Sequence, residues 1–446
     1  MFALLRSNAD VRSLFIAQVV SYMGDWFAYV AFVGLVQGLV DSPLLVSLVY
    51  VAQALPAFLL SPVAGSAADR YNRRRIIQVV SALQIVAAAG LLLVDSTSTL
   101  VLGFACLCMI SALGSFVGPA AQAGLPNLVR TPEELKKGSL LFGALWGAML
   151  AIGAGLGGLF ASAFGRDAAF VANAVSFAVA CLFVTLIRRP MQEPRSTTEA
   201  QGRGMRPIAD MAEAIRYARQ DHVILAMLAS KASFAMGAGI VGLLAVLATQ
   251  EFNGGDASTG LLLGARGVGV ALGPLIASRL LGPDLSRVLL MCGGASIVFG
   301  VCYLSLALST ALWMGLVLVF VAHLGGGAQW TLSTYGLQAR SPDSIRGRVL
   351  AGDVGFTMLI ITLSNIAAGV LAGLVGPRLA IATFAAMGLV AGAVYLTLTR
   401  PIRRRLDADP TGGVLVTATG GAVDPSAGTT SAQDEFGEGR QRGGRT

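Results

Sequence analysis

Long apolar stretches, separated by short polar segments, run from residue 13 to residue 399 of the chain. A helix rises about 1.5 Å per residue, so about 20 apolar residues cross a hydrocarbon layer of about 30 Å. On that measure the pattern predicts twelve spanning helices. They fall at 13–38, 42–68, 76–94, 98–121, 138–163, 168–187, 222–250, 257–281, 288–308, 311–336, 346–374 and 379–399. The stretch from Val288 to Ala339 carries no formal charge, only His323, and is too long for one helix. Its expected break is at Ser309-Thr310.

Composition narrows the class. Of the 446 residues, 13% are charged and 55% hydrophobic. Soluble domains carry about 25% charged residues, so a soluble enzyme and a disordered chain are both excluded. The 55 glycines follow no Gly-X-Y period and point instead to helices packed closely in a bilayer. A net charge of +8 would suit nucleic acid, yet the cations sit in the loops between apolar runs. With the amino terminus inside, the loop cations from Arg6 to Arg405 all fall inside except Arg166 and Arg378. That asymmetry orients a multi-pass protein of the cytoplasmic membrane with both termini in the cytoplasm. The first apolar run is too long for a signal-peptide core and contains Asp25, so no cleaved leader is expected. Cys106, Cys108, Cys181, Cys292 and Cys302 all lie in apolar runs and read as small packing residues.

Arg188 to Asp221 is the longest charged interval between spans. It begins as a flexible connection, and Ile208, Met211 and Ile215 then recur at helical spacing after Pro207. The expected organisation is a six-helix bundle at 1–189 and a linker with a short amphipathic helix at 190–221. A second six-helix bundle at 222–400 and a disordered cytoplasmic tail at 401–446 complete it. The segment TPEELKKGSL at 131–140 matches SPDSIRGRVL at 341–350 in character, at the same place in each half. The fold class is therefore an all-α membrane protein, with twelve transmembrane helices in two pseudo-symmetric bundles. Related halves around a midplane site are the architecture of a secondary transporter.

Gly65 to Ile77 reads GSAADRYNRRRII. Gly65 permits close helix approach, Asp69 can cap a helix amino terminus, and the arginines can bridge acids or headgroups. This segment resembles the loop signature G-x-x-x-D-R-x-G-R-R of the major facilitator superfamily, with Gly65, Asp69, Arg70 and Arg74 in its main positions. Asn72 stands where Gly is usual, and tolerates a left-handed turn. The resemblance extends over the whole membrane part. SYMGDWFAYVAF in span 1, GPAAQAGLPNLVRTPEEL after span 4 and SPDSIRGRVLA before span 11 are similar to the macrolide-efflux and enterobactin-exporter branch. GAGLGG at 153–158 resembles an antiporter motif, with Ala154 in place of its Pro, and span 4 lacks a basic residue. The resemblance implies an exporter of an amphipathic small molecule by alternating access and proton antiport, with Asp69 facing Arg346 and Arg348 in a cytoplasmic latch. GARGVGVALG at 264–273 is assigned to small-residue helix packing, since no Lys-Ser/Thr follows it. The chain carries no Walker or HExxH motif, so neither an enzyme nor a cofactor or metal is expected.

Ionisable groups inside spans cost about 2.5–3.5 kcal/mol each at the membrane centre. They are Asp25 in span 1, Lys231 in span 7, Arg266 in span 8 and Asp353 in span 11. Asp25 lies ~20 Å from its inner end and Arg266 ~14 Å from its outer end, at similar depth. Lys231 and Asp353 lie ~14 and ~12 Å from the inner side. The matched depths allow two readings, buried salt bridges that hold helices in register or switchable pairs that carry protons. Tyr22, Trp26, Gln122, Phe234, His323, Gln329 and Trp330 are candidates to line a cavity, or to serve as packing. The partners implied are a small molecule, protons and the lipid bilayer, with no nucleic acid, for a chain acting as a monomer. An importer or facilitator of a small solute, and a non-transporting membrane sensor, remain alternatives.

Overall fold

A computed structural model describes residues 2–192, 215–281, 284–341 and 343–408. Among the described residues there is no strand, and twelve helices are long and apolar enough to cross a membrane. In the first half they are span 1 (Ala9–Leu39), span 2 (Pro43–Arg70), span 3 (Arg73–Gly90, with a 3-10 turn at Leu91–Leu93), span 4 (Leu100–Gly114 and Val117–Leu128), span 5 (Pro132–Phe164) and span 6 (Arg166–Thr185). In the second half they are span 7 (His222–Gly237 and Ile240–Gln250), span 8 (Asp256–Leu281), span 9 (Leu285–Ala307), span 10 (Leu312–Arg340), span 11 (Asp343–Val375) and span 12 (Pro377–Ala408).

Local chemistry sets the helix starts. Asn8, Ser42, Thr131, Asp221 and Asp284 each accept a first-turn backbone N–H, and Pro43 and Pro132 occupy the first helical position. Spans 5 and 11 end alike, at Gly165 (φ 88°) and Gly376 (φ 86°). A left-handed glycine closes each turn, and an arginine, Arg166 or Arg378, follows within two residues. The two turns occupy equivalent places in the two halves.

Span 1 packs on spans 5 and 6, and span 3 on spans 4 and 6. In the second half span 7 packs on 10, 11 and 12, span 8 on 10, and span 9 on 10 and 12. The halves meet chiefly through span 5 against span 8 and span 2 against span 11. Exchanging the halves exchanges these two contacts, as a pseudo-two-fold arrangement requires. Glycine allows the first contact: a Cβ on Gly267 would lie 2.4 Å from the Ala151 Cα, and one on Gly158 would lie 2.7 Å from the Gly260 Cα. The 264–273 glycine run is thus helix packing: Gly264 and Gly267 face span 5, and Gly269 and Gly273 face span 10.

The face where span 1 begins and span 12 ends is called here the terminal face, and its opposite the far face. Toward the far face one buried apolar cluster joins both halves, through residues such as Val36, Leu150, Leu244 and Leu262. Toward the terminal face there are two clusters, one around Leu14, Leu128 and Ile187 and the other around Ile224, Leu289 and Leu337. Large exposed side chains such as Val86, Val101, Leu182, Leu363 and Leu398 cover the perimeter, as lipid contact demands.

Spans 4, 7 and 12 and the linker helix differ most from the sequence expectation. Spans 4 and 7 are each broken into two pieces, at 115–116 and 238–239. Span 12 continues through Pro401 to Ala408, so the tail expected from residue 401 begins as helix. Of the linker helix, 215–220 is helical, and it buries Ala218 rather than Ile215, which is 48% exposed. The expected positions from Pro207 to Met211 lie outside the described residues, as does the tail from residue 409. The five cysteines are free thiols.

Candidate functional site

Charged groups at the terminal face act first as helix caps. Arg74 donates from Nε to the Val184 carbonyl (3.2 Å) and from Nη2 to those of Thr185 and Ile187, the end of span 6. Arg73, which the sequence motif did not single out, donates to the carbonyls of Ala68 (3.0 Å), Ala123 (2.7 Å) and Met191 (3.1 Å). A guanidinium suits this place because the last carbonyls of a helix lack intrahelical donors. The cap of span 3 is Asn72 rather than Asp69. Asn72 has extended backbone (φ −65°), and its side chain accepts from Arg75 N at 3.1 Å. Among the described residues a Cβ on Gly65 would meet nothing within 4 Å, so no close approach occurs there. The side chains of Asp69, Arg70, Arg346 and Arg348 lie outside the described residues.

Lys231 and Asp353 meet. The Lys231 ammonium donates to Asp353 Oδ2 and to Thr334 Oγ1 (2.8 Å), and sits 4.8 Å from the centre of the Trp330 ring. Both side chains are buried, at 2% and 1% exposure. The pair joins spans 7, 10 and 11 within the second half. Asp353 Oδ1 keeps no partner, nor does the Thr357 hydroxyl one turn on. Gln329 extends the polar layer by donating to the Ser230 carbonyl at 2.5 Å.

Asp25 and Arg266 do not meet. Asp25 Oδ1 and Arg266 Nε are both buried without a hydrogen-bond partner, and no ion pair joins them. The reason is helix length. Span 1 ends at Leu39 and span 8 begins at Asp256, which puts Tyr29 and Arg266 each ten residues from the far face, ~15 Å down. Asp25 lies one turn deeper, ~21 Å down. The guanidinium instead stands over the Tyr50 ring, 5.8 Å from its centre, within electrostatic reach of Tyr29, Tyr303 and His323.

The remaining cavity candidates divide. Tyr22 is half-buried one turn below Asp25, and Trp26 is buried edge-on to Tyr29 at 5.4 Å and against Gly153. Phe234 is half-buried, 4.6 Å from Phe299. His323 is 2% exposed, lies beside Phe299 and Tyr303, and has Nδ1 3.0 Å from the Val319 carbonyl, so it is a packed core residue. Gln122 is exposed on span 4.

Sequence reading missed two features. One is the break in span 7, where Gly239 N donates to Ser364 Oγ (2.9 Å) and Gly242 N to Asn365 Oδ1 (3.1 Å). Two span 11 side chains thereby satisfy amides at the start of the second piece. No change of periodicity marks such a break, because apolar residues dominate both pieces and continue across it.

The other is the closure of the far face. Arg166 clasps Asp256 through Nε (2.9 Å) and Nη2 (3.2 Å), binding the start of span 6 to the start of span 8. Gln37 donates to Thr249 (2.9 Å) and Gln250 to Asp41 (2.8 Å), again between halves. A cleft of about 300 Å³ lies over these bonds, lined in part by Gln37, Asp41, Arg166 and Asp256. Arg378 stays within the second half, bound to Glu251 at 2.5 Å and to the carbonyls of Ala307 and Ser309. The ion pairs Arg189–Asp10 and Arg340–Asp221 near the terminal face likewise stay within one half each.

A sequence model of the transmembrane secretion effectors, a branch of the major facilitator transporters, matches residues 1–423. The chain belongs to this family. This major facilitator protein is therefore a multi-pass membrane transporter and not an enzyme. It is similar to the multidrug efflux pump Tap of Mycobacterium tuberculosis, 26% identical over 412 residues that cover 88% of this chain and 94% of that one. The Tap pump of Mycolicibacterium fortuitum is 27% identical over 393 residues, covering 84% and 92%. Among solved structures, a peptide transporter POT in complex with sulfate superposes with a TM-score of 0.69 at 14% identity, covering 90% of this chain and 96% of that one. A bacterial homologue of the human lysosomal transporter Spinster, in an inward-facing conformation, gives 0.63 at 15% identity, covering 92% and 98%. At these identities the structures speak for the fold alone.

Proposed function

We propose that this transporter exports amphipathic small molecules, drugs among them, by alternating access coupled to proton antiport. Loop charge supports a cytoplasmic terminal face, and on that reading the Arg166–Asp256 clasp closes the outward side. The observation that carries the reading is Asp25. It is the one carboxylate more than a turn inside the spans of the first half, its Oδ1 is buried without a partner, and it lies about one turn in depth from Arg266 of the other half. A carboxylate so placed is neutral or charged according to which side admits water, and that alternation couples protons to substrate. The efflux named for the Tap relatives supports the outward direction. One copy of the chain holds both halves and suffices. The latch of Gly65, Asp69, Arg70, Arg74, Arg346 and Arg348 belongs to the same proposal, as the terminal-face counterpart of the clasp.

Proteoliposomes with an acidic lumen test the reading. They are expected to accumulate ethidium, and to lose the accumulation when a protonophore is added. Accumulation only with an alkaline lumen favours a proton-linked importer. No flux under either gradient favours a membrane sensor.

A further inference from the structure

The Arg266 guanidinium is an isolated cation at the seam of the two halves. Among the described residues it has no hydrogen bond and no ion pair, and its Nε is buried. Its contact is the Tyr50 ring, and the phenols of Tyr29 and Tyr303 and the imidazole of His323 lie within its electrostatic reach. His323 engages a backbone carbonyl through Nδ1, and the Tyr303 hydroxyl is buried without a partner. Asp25, the carboxylate nearest in depth, does not reach it.

A phenol donates as readily as it accepts, and a guanidinium only donates. Among the described residues these surroundings therefore hold several donors and no anionic acceptor. A cation in a span is costly unless neutralised, and Arg lies among the most expensive residues to place there. The other three span charges are accounted for, Lys231 and Asp353 by each other and Asp25 by the proton proposed above. Arg266 is the one left over.

We infer that Arg266, with the hydroxyls of Tyr29 and Tyr50, binds an anionic oxygen group, a carboxylate or sulfonate, carried by an aromatic substrate. The fork of the guanidinium matches two oxygens side by side, which an ammonium does not. Tyr50 holds the fork from its ring face and leaves the edge for the ligand. Because the contributors come from spans 1, 2 and 8, the ligand would be gripped by both halves at once. The inference rests on the transport reading for its biology, but binding can be measured without turnover.

The full chain in lipid nanodiscs is titrated calorimetrically with 2-naphthalenesulfonate, and with 2-naphthylmethylammonium as the cation of matched shape. Empty nanodiscs give the partitioning blank. The sulfonate is expected to bind the parent about ten-fold or more tighter than Arg266→Gln, the worth of a charge-assisted hydrogen bond. The ammonium is expected to bind the Gln variant at least as tightly as the parent, because the guanidinium repels it. Arg266→Lys keeps the charge and loses the fork, so it should fall between them; it serves also if the Gln variant does not fold. Equal sulfonate affinity in the parent and Arg266→Gln overturns the assignment, and so does a parent that holds no sulfonate above the blank. Arg266-dependent sulfonate binding in a protein that moves nothing would leave this site standing and remove the transport reading. Ethidium flux without Arg266-dependent sulfonate binding would do the reverse.

Discussion

Arg166 and Asp256 clasp the two halves of the transporter at the far face, and Gly34 of span 1 is the surface on which they meet. A Cβ on Gly34 would lie 1.9 Å from Asp256 Oδ1 and 2.8 Å from Arg166 Nε. Asp256 is 8% exposed and Arg166 36%, so the pair is half-shielded from water. It also lies at the start of span 8, where the helix dipole favours a carboxylate.

Loss of the clasp should open the far face. Asp256→Asn is expected to shift the equilibrium by about 1–2 kcal/mol, a factor of roughly 5–30, between the values for exposed and buried pairs. Gly34→Ala should act in the same direction while keeping both charges. Spin labels at Ser98 and Thr310, exposed on opposite halves, report the distance. An unchanged distance distribution in both variants would show that the clasp does not hold the gate.

Lys231 and Asp353 should behave as a unit. Removing one partner strands the other charge in the bundle, at about 3–5 kcal/mol. Asp353→Asn and Lys231→Met are each expected to lower the melting temperature in detergent. The double variant should recover most of the loss. A double variant that melts at the sum of the two losses would mean that the contact carries no coupling.

Asp25→Asn should abolish accumulation driven by a proton gradient and retain downhill exchange, because the amide mimics the protonated acid. The measurement is counterflow alongside gradient-driven uptake in the same vesicles. Uphill transport with unchanged pH dependence would remove Asp25 from the coupling step.

The broken span 7 depends on span 11. Asn365→Ala leaves the buried Gly242 amide unpaired, with an expected loss of about 1–3 kcal/mol. Hydrogen exchange at Gly242 and its neighbours should quicken more than exchange in spans 9 and 12. Uniform exchange across the bundle would indicate that the amide finds another partner.

Periodicity, charge and small-residue content determined by themselves that this chain crosses a membrane twelve times and pairs two similar halves. Those properties are set by local composition against the thickness of a bilayer, and a linear pattern records them directly. The Lys231–Asp353 contact was also legible, because depth along two helices limits which buried charges can meet. Depth along the axis does not specify azimuth, and a few residues of helix length shift it by a turn. Only the packed structure therefore showed that Asp25 misses Arg266, that the Tyr50 ring stands beside that arginine instead, and that the two far-side arginines do different work. Arg166 links the halves and Arg378 ties one half to itself, although both follow the same glycine turn. The difference lies in which helix end the fold brings opposite each of them, and that is decided by the packing of helices distant in sequence.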